Sequence, residues 1–458
     1  MTMTRQHFIT VGPLLALGFY VLLGYLGLED KPAIAAAITL LTVIWWITEA
    51  LPIPATSILP FALLPLFGVV DHKTIASALG SHVILLLMGA FMLSSALVKS
   101  GAHERMAVYM VKLVGVSSGK RLVFGFMVAT AMLSMWISNT ASTLIMLPIA
   151  LAILSHIDNR QLKVALILGI AYAASVGGIG TPIGTPPNVI FMGIYEEATG
   201  SEFGFLAWMK IGVPVVLVAI PLMALWLTRS VTLTEKINLP KLPPWRSEEK
   251  RTLIIFGLTA LAWITRGAPF GGWSTWFDVS IAGDSTVALA AVIIMFMTPN
   301  GKGGRVLDWN TAKEIPWGML LLFAGGIALA KGFAASGLSA MLGDWLSSLA
   351  NLPMLAMVLT ICLVVTYVTE ITSNTATATL LMPILAVVGI SVGVDPAVFM
   401  VPAAMAASCA FMLPVATAPN AIVYGAGDIK IKEMVIEGAL LSLLVSCIIA
   451  VMTYAMLH

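Results

Sequence analysis

Along this chain apolar residues do not alternate with polar ones; they run together in stretches long enough to cross a bilayer, separated by short charged or Gly/Pro-rich joints. Such stretches fall near 8–28, 33–48, 55–70, 82–98, 161–192, 205–228, 252–265, 285–298, 316–335, 397–427 and 434–457, and are read as eleven spans. Two further runs, 122–155 and 353–390, carry polar residues near their middles. In the first, ISNTASTLIMLPI begins at Ile137; in the second, TSNTATATLLMPI begins at Thr372, 235 positions later. About 16 residues flank Ser138 to Thr140 on each side, roughly 24 Å of helix, which is short of a ~30 Å crossing. Each run is therefore expected to be a re-entrant hairpin rather than two spans.

Charge sets the orientation. With the N-terminus in the cytoplasm and the spans threaded alternately, 19 of the 24 Lys and Arg residues fall inside, as the positive-inside rule requires. His458 then faces outward, to the periplasm or exterior. Five crossings separate the hairpins, so the first enters from the cytoplasm and the second from outside, and the repeat is inverted. The match reaches beyond the hairpins: LLLMGAFMLSSALVKSG, ending at Gly101, parallels LLFAGGIALAKGFAASG, ending at Gly337, and GTPPN at 184–188 parallels ATAPN at 416–420. The expected organisation is an N-terminal span, 1–32; a first repeat, 33–228, with its hairpin at 122–155 and a Pro-broken span at 161–192; a cytoplasmic linker, 229–251; and a second repeat, 252–458, with its hairpin at 353–390 and a broken span at 397–427. The fold class is an all-α polytopic membrane protein of about eleven transmembrane helices plus two re-entrant hairpins.

Composition agrees. Apolar residues make up 59% of the 458 positions and charged ones 10%, which excludes a water-soluble globule and makes the lipid bilayer, not nucleic acid, the chain's surroundings. The first apolar run is longer than a signal-peptide core and lacks a small-residue cleavage site, so it is expected to stay attached. Cys362, Cys409 and Cys447 sit in apolar stretches with neither metal-site spacing nor an even count, and are read as core fillers. No Asn-x-Ser/Thr sequon occurs, and a bacterial inner membrane fits best.

The chemistry lies where the apolar runs break. Irregular backbone survives at membrane depth only when buried in protein or lining a wet cavity. GGIGTPIGTPPN (177–188) and MLPVATAPN (412–420) are such breaks, and paired broken helices at matching positions of an inverted repeat point to a transporter's substrate site. A single Ser-Asn-Thr would be read as helix-packing glue. Two copies, each paired with a broken loop, favour a site. No Lys or Arg lies in either hairpin body or either broken loop, so a bound anion would be neutralised by helix dipoles, amides and co-bound cations. Sodium suits the hydroxyl, amide and carbonyl oxygens on offer, because these are hard ligands. Ser134 stands one helical turn before Ser138, and Thr369 one turn before Ser373, so each pair shares a helix face beside its Asn. Glu370, whose counterpart is Met135, is read as a structural hydrogen-bond partner ahead of a proton or ion path. Glu49 and the six His residues are assigned packing or interface roles. GVSSGKR at 115–121 has the wrong spacing and Arg121 in place of Ser or Thr, so ATP binding is rejected. An intramembrane Ser hydrolase lacks a base, since neither hairpin contains His, Lys or Asp. A passive channel fits broken helices around one midplane site less well than alternating access does.

The paired Ser-Asn-Thr hairpins, the GTPPN and ATAPN loops and WWITEALPIPATSILP (45–60) together resemble the divalent anion:sodium symporter family, the bacterial sodium-dependent dicarboxylate transporters in particular. That resemblance implies a homodimer of the elevator type, in which a transport domain made of both hairpins and both broken helices moves against a scaffold. It places one sodium at Ser134, Ser138, Asn139 and the Gly184 carbonyl, and a second at Thr369, Thr372, Asn374 and the Ala416 carbonyl. It places the substrate carboxylates at Asn139, Thr140, Asn374 and Thr375, with Thr185, Thr417 and Pro186 nearby; Ala418 stands where the first loop has Pro186. The implied activity is sodium-coupled uptake of a C4-dicarboxylate such as succinate, malate or fumarate, with no organic cofactor and no enzymatic reaction. The alternative within the family is a sodium-independent exchanger of dicarboxylates or citrate.

Overall fold

A computed structural model describes residues 2–115, 117–155, 157, 159–232, 243–268, 271–346 and 353–458. Helices form nearly all of the regular structure among them; the exception is a single bridge between Pro299 and Arg305. Eight described helices are long and apolar enough to cross a bilayer alone. Seven are expected spans, and the eighth, Asn374–Val392, is the returning arm of the second hairpin. The other four spans are built from shorter pieces: Ile53–Thr56 with Leu59–Leu66, Ser247–Ile264, Asp284–Met297, and Ala397–Ala407 with Ala418–Gly425. The expected linker is corrected at its end, because the helix Ser247–Ile264 already begins inside 229–251; residues 233–242 of that linker lie outside the described set. The first broken span also runs on beyond 192, to Thr199.

The two halves repeat element by element. His82–Ser100 and Trp317–Ser336 each end at a glycine in the left-handed region, Gly101 at φ 73° and Gly337 at φ 80°, where a side chain would be strained. Short helices follow, Ala102–Val114 and Leu338–Leu346, and then the hairpins. The hairpins pair Gly119–Ser134 with Asn139–Leu154, and Met354–Thr369 with Asn374–Val392. Next come the broken spans, Arg160–Gly178 with Pro186–Thr199 and Ala397–Ala407 with Ala418–Gly425, and the halves close with Phe205–Leu227 and Ile431–Leu457.

Small residues set the depth of packing around the breaks. Every residue from Ala165 to Thr185 is buried, so the first unwound loop is sealed inside protein. Each closing span presents one glycine to a carbonyl at the equivalent place in its loop: a Cβ at Gly212 would stand 2.4 Å from the Ile179 oxygen, and one at Gly438 2.4 Å from the Phe411 oxygen. Gly177 plays the same part between the first hairpin and the first broken span, since a Cβ there would lie 2.4 Å from Ala131 Cα and 2.5 Å from its carbonyl oxygen. Both atoms are backbone and cannot swing aside. At the end of His82–Ser100 Lys99 donates to Asp308, and that bond, with the Thr311 amide and hydroxyl, lowers the Asp308 carboxyl to about 2.

Gly177→Ala is expected to push the first hairpin off the broken span and to destabilise the protein by about 1–3 kcal/mol. Thermal unfolding in detergent reads this; an unchanged midpoint would show that the contact yields.

Candidate functional site

The turns of both hairpins and both unwound loops line one cavity of about 670 Å³. Its wall includes Ser138, Asn139 and Thr140 from the first hairpin, and Thr372, Ser373, Asn374 and Thr375 from the second. The broken loops add Gly184, Thr185 and Pro186 on one side and Ala416, Thr417 and Ala418 on the other. Two turns meeting at one cavity is what two re-entrant hairpins require. Ser134 and Thr369 are fully buried behind this wall.

Four helices begin at the cavity: Asn139–Leu154, Asn374–Val392, Pro186–Thr199 and Ala418–Gly425. Each directs the positive end of its dipole there, and the wall holds no Lys, Arg or His. The ends are unequal as donors. Pro186 and Pro187 have no N–H, whereas Ala418 keeps one ahead of Pro419. Ser138 caps the first hairpin's returning arm by accepting from the Ala141 amide at 3.2 Å, while Ser373 makes no such bond. Thr417 accepts from the Asn420 amide at 3.2 Å; Thr185 instead reaches the Ser408 hydroxyl at 3.3 Å, joining the two broken spans.

An oxygen cluster stands behind each Asn. Ser134 Oγ lies 2.6 Å from both Asn139 Oδ1 and the Ala174 carbonyl. Gly184 closes this cluster: a Cβ there would be 2.9 Å from the Ser134 carbonyl oxygen and 2.4 Å from that of Gly178. In the second half Thr369 Oγ1 lies 2.6 Å from Asn374 Oδ1 and 3.0 Å from the Ala407 carbonyl oxygen. The hydroxyl of Thr372 is not part of this cluster. It meets Thr377 Oγ1 at 2.6 Å and the Val368 carbonyl at 2.8 Å, so it is turned along its own hairpin.

Two acids take definite places. Glu370 is buried and accepts from the amides of Phe411 at 2.7 Å, Met412 at 3.0 Å and Leu413 at 3.2 Å, and from the Ser442 hydroxyl at 3.3 Å. It is a resident anion for the successive N–H groups of the second unwound loop, which is the structural role expected of it. In the first half Met135 has no carboxylate; its own carbonyl accepts from the Thr181 hydroxyl. Glu49, expected to be a packing residue, lines the cavity instead, at the end of Asp30–Thr48 with φ 47°, and it is the one charged side chain in the wall among the described residues. Its unusual backbone, invisible in the sequence, is what sets it apart. All three cysteines are free of disulfides; Cys362 and Cys409 are buried, as expected of core fillers, whereas Cys447 is only half-buried. No group of three His, Cys, Asp or Glu capable of holding a metal occurs among the described residues, so the oxygen donors here are hydroxyls, amides and carbonyls.

Residues 14–457 match the family described as "Sodium:sulfate symporter transmembrane region". The chain is 42% identical to the Sodium-dependent dicarboxylate transporter SdcS of Staphylococcus saprophyticus, over 97% of this chain and 90% of that protein. It is 41% identical to the SdcS of Staphylococcus aureus, with the same coverage. Among solved structures, the YdaH transporter of Alcanivorax borkumensis shares the fold at a TM-score of 0.61, covering 83% of this chain and 87% of that one, at 15% identity.

Glu370→Gln keeps the shape but sets an NH2 against backbone amides, and is expected to cost about 2 kcal/mol of stability. An unaltered thermal midpoint in detergent would mean that the loop does not depend on the carboxylate.

Proposed function

The chain belongs to the sodium:sulfate symporter family, the divalent anion:sodium symporters, and as a multi-pass membrane transporter rather than an enzyme we propose that it couples sodium entry to uptake of C4-dicarboxylates such as succinate, malate or fumarate. The observation that carries this reading is the cavity itself: four helix N-termini and two hydroxyl–amide–carbonyl clusters, with no fixed cation in the wall. A dianion held there needs mobile positive charge. The two SdcS relatives, named as sodium-dependent dicarboxylate transporters, support that choice of ions.

In this proposal one sodium binds at Ser134, Ser138, Asn139 and the Gly184 carbonyl, and the second at Thr369, Asn374, the Ala416 carbonyl and Thr372, the last through its backbone because its hydroxyl is engaged elsewhere. The substrate carboxylates meet Asn139 and Thr140 from one side and Asn374 and Thr375 from the other. Thr185, Pro186 and Thr417 complete the floor. Each Asn thus serves sodium and substrate together, and coupling is reciprocal: sodium raises dicarboxylate affinity by the factor by which dicarboxylate raises sodium affinity.

The proposed motion is an elevator within a homodimer in a bacterial inner membrane. The scaffold side of the cavity comes from Glu49, from Leu87, Ala90, Phe91, Ser94 and Ser95, and from Pro316 and Met319. With the N-terminus cytoplasmic, Glu49, Ser94, Ser95, Pro316 and Met319 belong to the inner halves of their spans and the other three to the middle of theirs, so this state opens inward. On the opposite, outer edge three basic scaffold side chains meet three acids that follow the first broken loop: His82 with Glu196 at 2.8 Å, Lys331 with Glu197, and Arg266 with Glu202 at 2.9 Å. The closing spans Phe205–Leu227 and Ile431–Leu457, which press Gly212 and Gly438 against the unwound loops, are taken to travel with the transport body, so the pair of Arg160 with Glu433 lies within the moving part. Inverted repeats supply the second, outward-facing arrangement.

Succinate uptake into proteoliposomes is expected with sodium outside and to vanish with choline; equal uptake in choline would replace symport by exchange. Asn139→Ala and Asn374→Ala are each expected to lower uptake at least about a hundredfold while sparing folding, as removal of groups that hold a metal's ligands does; normal uptake by both would return the hairpin motifs to helix packing. For the motion, a cysteine-free protein carrying His82→Cys and Glu196→Cys should cross-link and stop transporting, whereas one carrying Arg160→Cys and Glu433→Cys should cross-link and keep working. The reverse pattern would replace the elevator by local gating.

A further inference from the structure

Each unwound loop is bridged by one asparagine that the sodium and substrate assignments do not use. Asn188 Nδ2 donates to the carbonyls of Gly178 at 3.0 Å and Thr181 at 2.8 Å. Asn420 Nδ2 donates to the carbonyls of Ala410 at 3.1 Å and Leu413 at 3.0 Å. In both halves the bonds reach ten and seven residues upstream. Both side chains are fully buried, and both Oδ1 atoms lack a hydrogen-bond partner among the protein atoms. A buried acceptor left unpaired is unfavourable, so the two donors must be what the position requires. Few other side chains fit: Asp has no donor, Ser has one, and Gln is a methylene longer.

One carbonyl held in each half also accepts the amide of a proposed ligand residue: Thr181 that of Gly184 at 3.4 Å, and Leu413 that of Ala416 at 3.2 Å. A Cβ on Gly178 would be 2.5 Å from Asn139 Oδ1 and 3.1 Å from the Gly184 oxygen, so the residue that Asn188 clamps is wedged between two ligands of the first sodium. In the second half the clamp is double: Leu413 gives its amide to Glu370 and its carbonyl to Asn420. Asn420 also ties its own amide to Thr417, the residue after Ala416.

We infer that Asn188 and Asn420 are positioning residues for sodium, one for each ion, which fix the curvature of the loops that carry the Gly184 and Ala416 carbonyls. The inference rests on the sodium-coupled reading above. It makes the two ions separately tunable from outside their ligand sets, and it gives the Asn that ends GTPPN and ATAPN a task distinct from that of the Asn in each hairpin.

The test uses the full-length protein with Asn188→Ala, Asn420→Ala, the double variant, and the single-donor variants Asn188→Ser and Asn420→Ser. Two quantities are read: the rise in thermal midpoint on replacing choline by sodium, and the sodium concentration for half-maximal succinate uptake. Each Ala variant is expected to need about ten- to a hundredfold more sodium, as loss of groups that orient a metal's ligands generally does. Its maximal uptake at saturating sodium should persist, and the Ser variants should fall between. The sodium-induced thermal shift should shrink in step. If an Ala variant does not fold, the Ser variant carries the same comparison. A lower midpoint in choline with an unchanged sodium requirement would overturn the inference and leave a purely structural clamp. Absence of any sodium effect on the unsubstituted protein would instead overturn the sodium-coupled reading itself.

Discussion

Everything in this molecule follows from one requirement: backbone that leaves the helix inside a membrane must have its N–H and C=O groups answered by protein, because lipid offers no partners. The chain breaks two spans in their middles, at 179–185 and 408–417, and then covers the breaks. The first is sealed by an unbroken run of buried residues from Ala165 to Thr185. Closing spans press Gly212 and Gly438 against the loops, where any side chain would hold them off. Amide groups of Asn188 and Asn420 take loop carbonyls, and the Glu370 carboxylate takes loop amides. Once these demands are met, the helix ends and carbonyls left over at the cavity are the polar groups available to ions.

The same requirement explains why the two halves are not copies. In the first half Gly178 and Gly184 let the loop fold tightly on itself, with the Thr181 hydroxyl reaching back to Met135. The second half has Ala410 and Ala416 at those places, and Val415 stands out into the open. A looser loop exposes more amides, and Glu370 supplies the acceptor that the first half does not need. Pro186 gives the first broken helix a dipole without a donor, while Ala418 leaves the second with one. A ligand at the cavity therefore meets a stiff wall and a donor-rich one.

Much of this was legible in the sequence. Helices stand at each expected apolar run and at both hairpins, eight of the described ones long and apolar enough to cross a bilayer, because length and hydropathy are averaged over many residues. Ser134 and Asn139 come together, as do Thr369 and Asn374, because helical spacing constrains them; that Gly184 closes on the first pair was implied only by the family resemblance. Single rotamers and single backbone angles escape such patterns. Thr372 turns its hydroxyl to Thr377, a choice between neighbours one turn apart that the sequence does not settle. Glu49 reaches the cavity through a left-handed backbone at the end of its helix. The bonds of Asn188 and Asn420 join residues seven and ten apart across an unwound loop, a separation with no periodic signature.

The charges of the cavity explain why an anion transporter would depend on cations. Each helix end contributes roughly half an elementary charge at best, and it is partly screened where water enters. Beside these ends the wall holds no Lys, Arg or His. An empty site is thus a poor anion site. Cations held at the two oxygen clusters, directly behind the asparagines that face the cavity, reverse that balance, and they do so without any Lys or Arg that would trap the anion permanently.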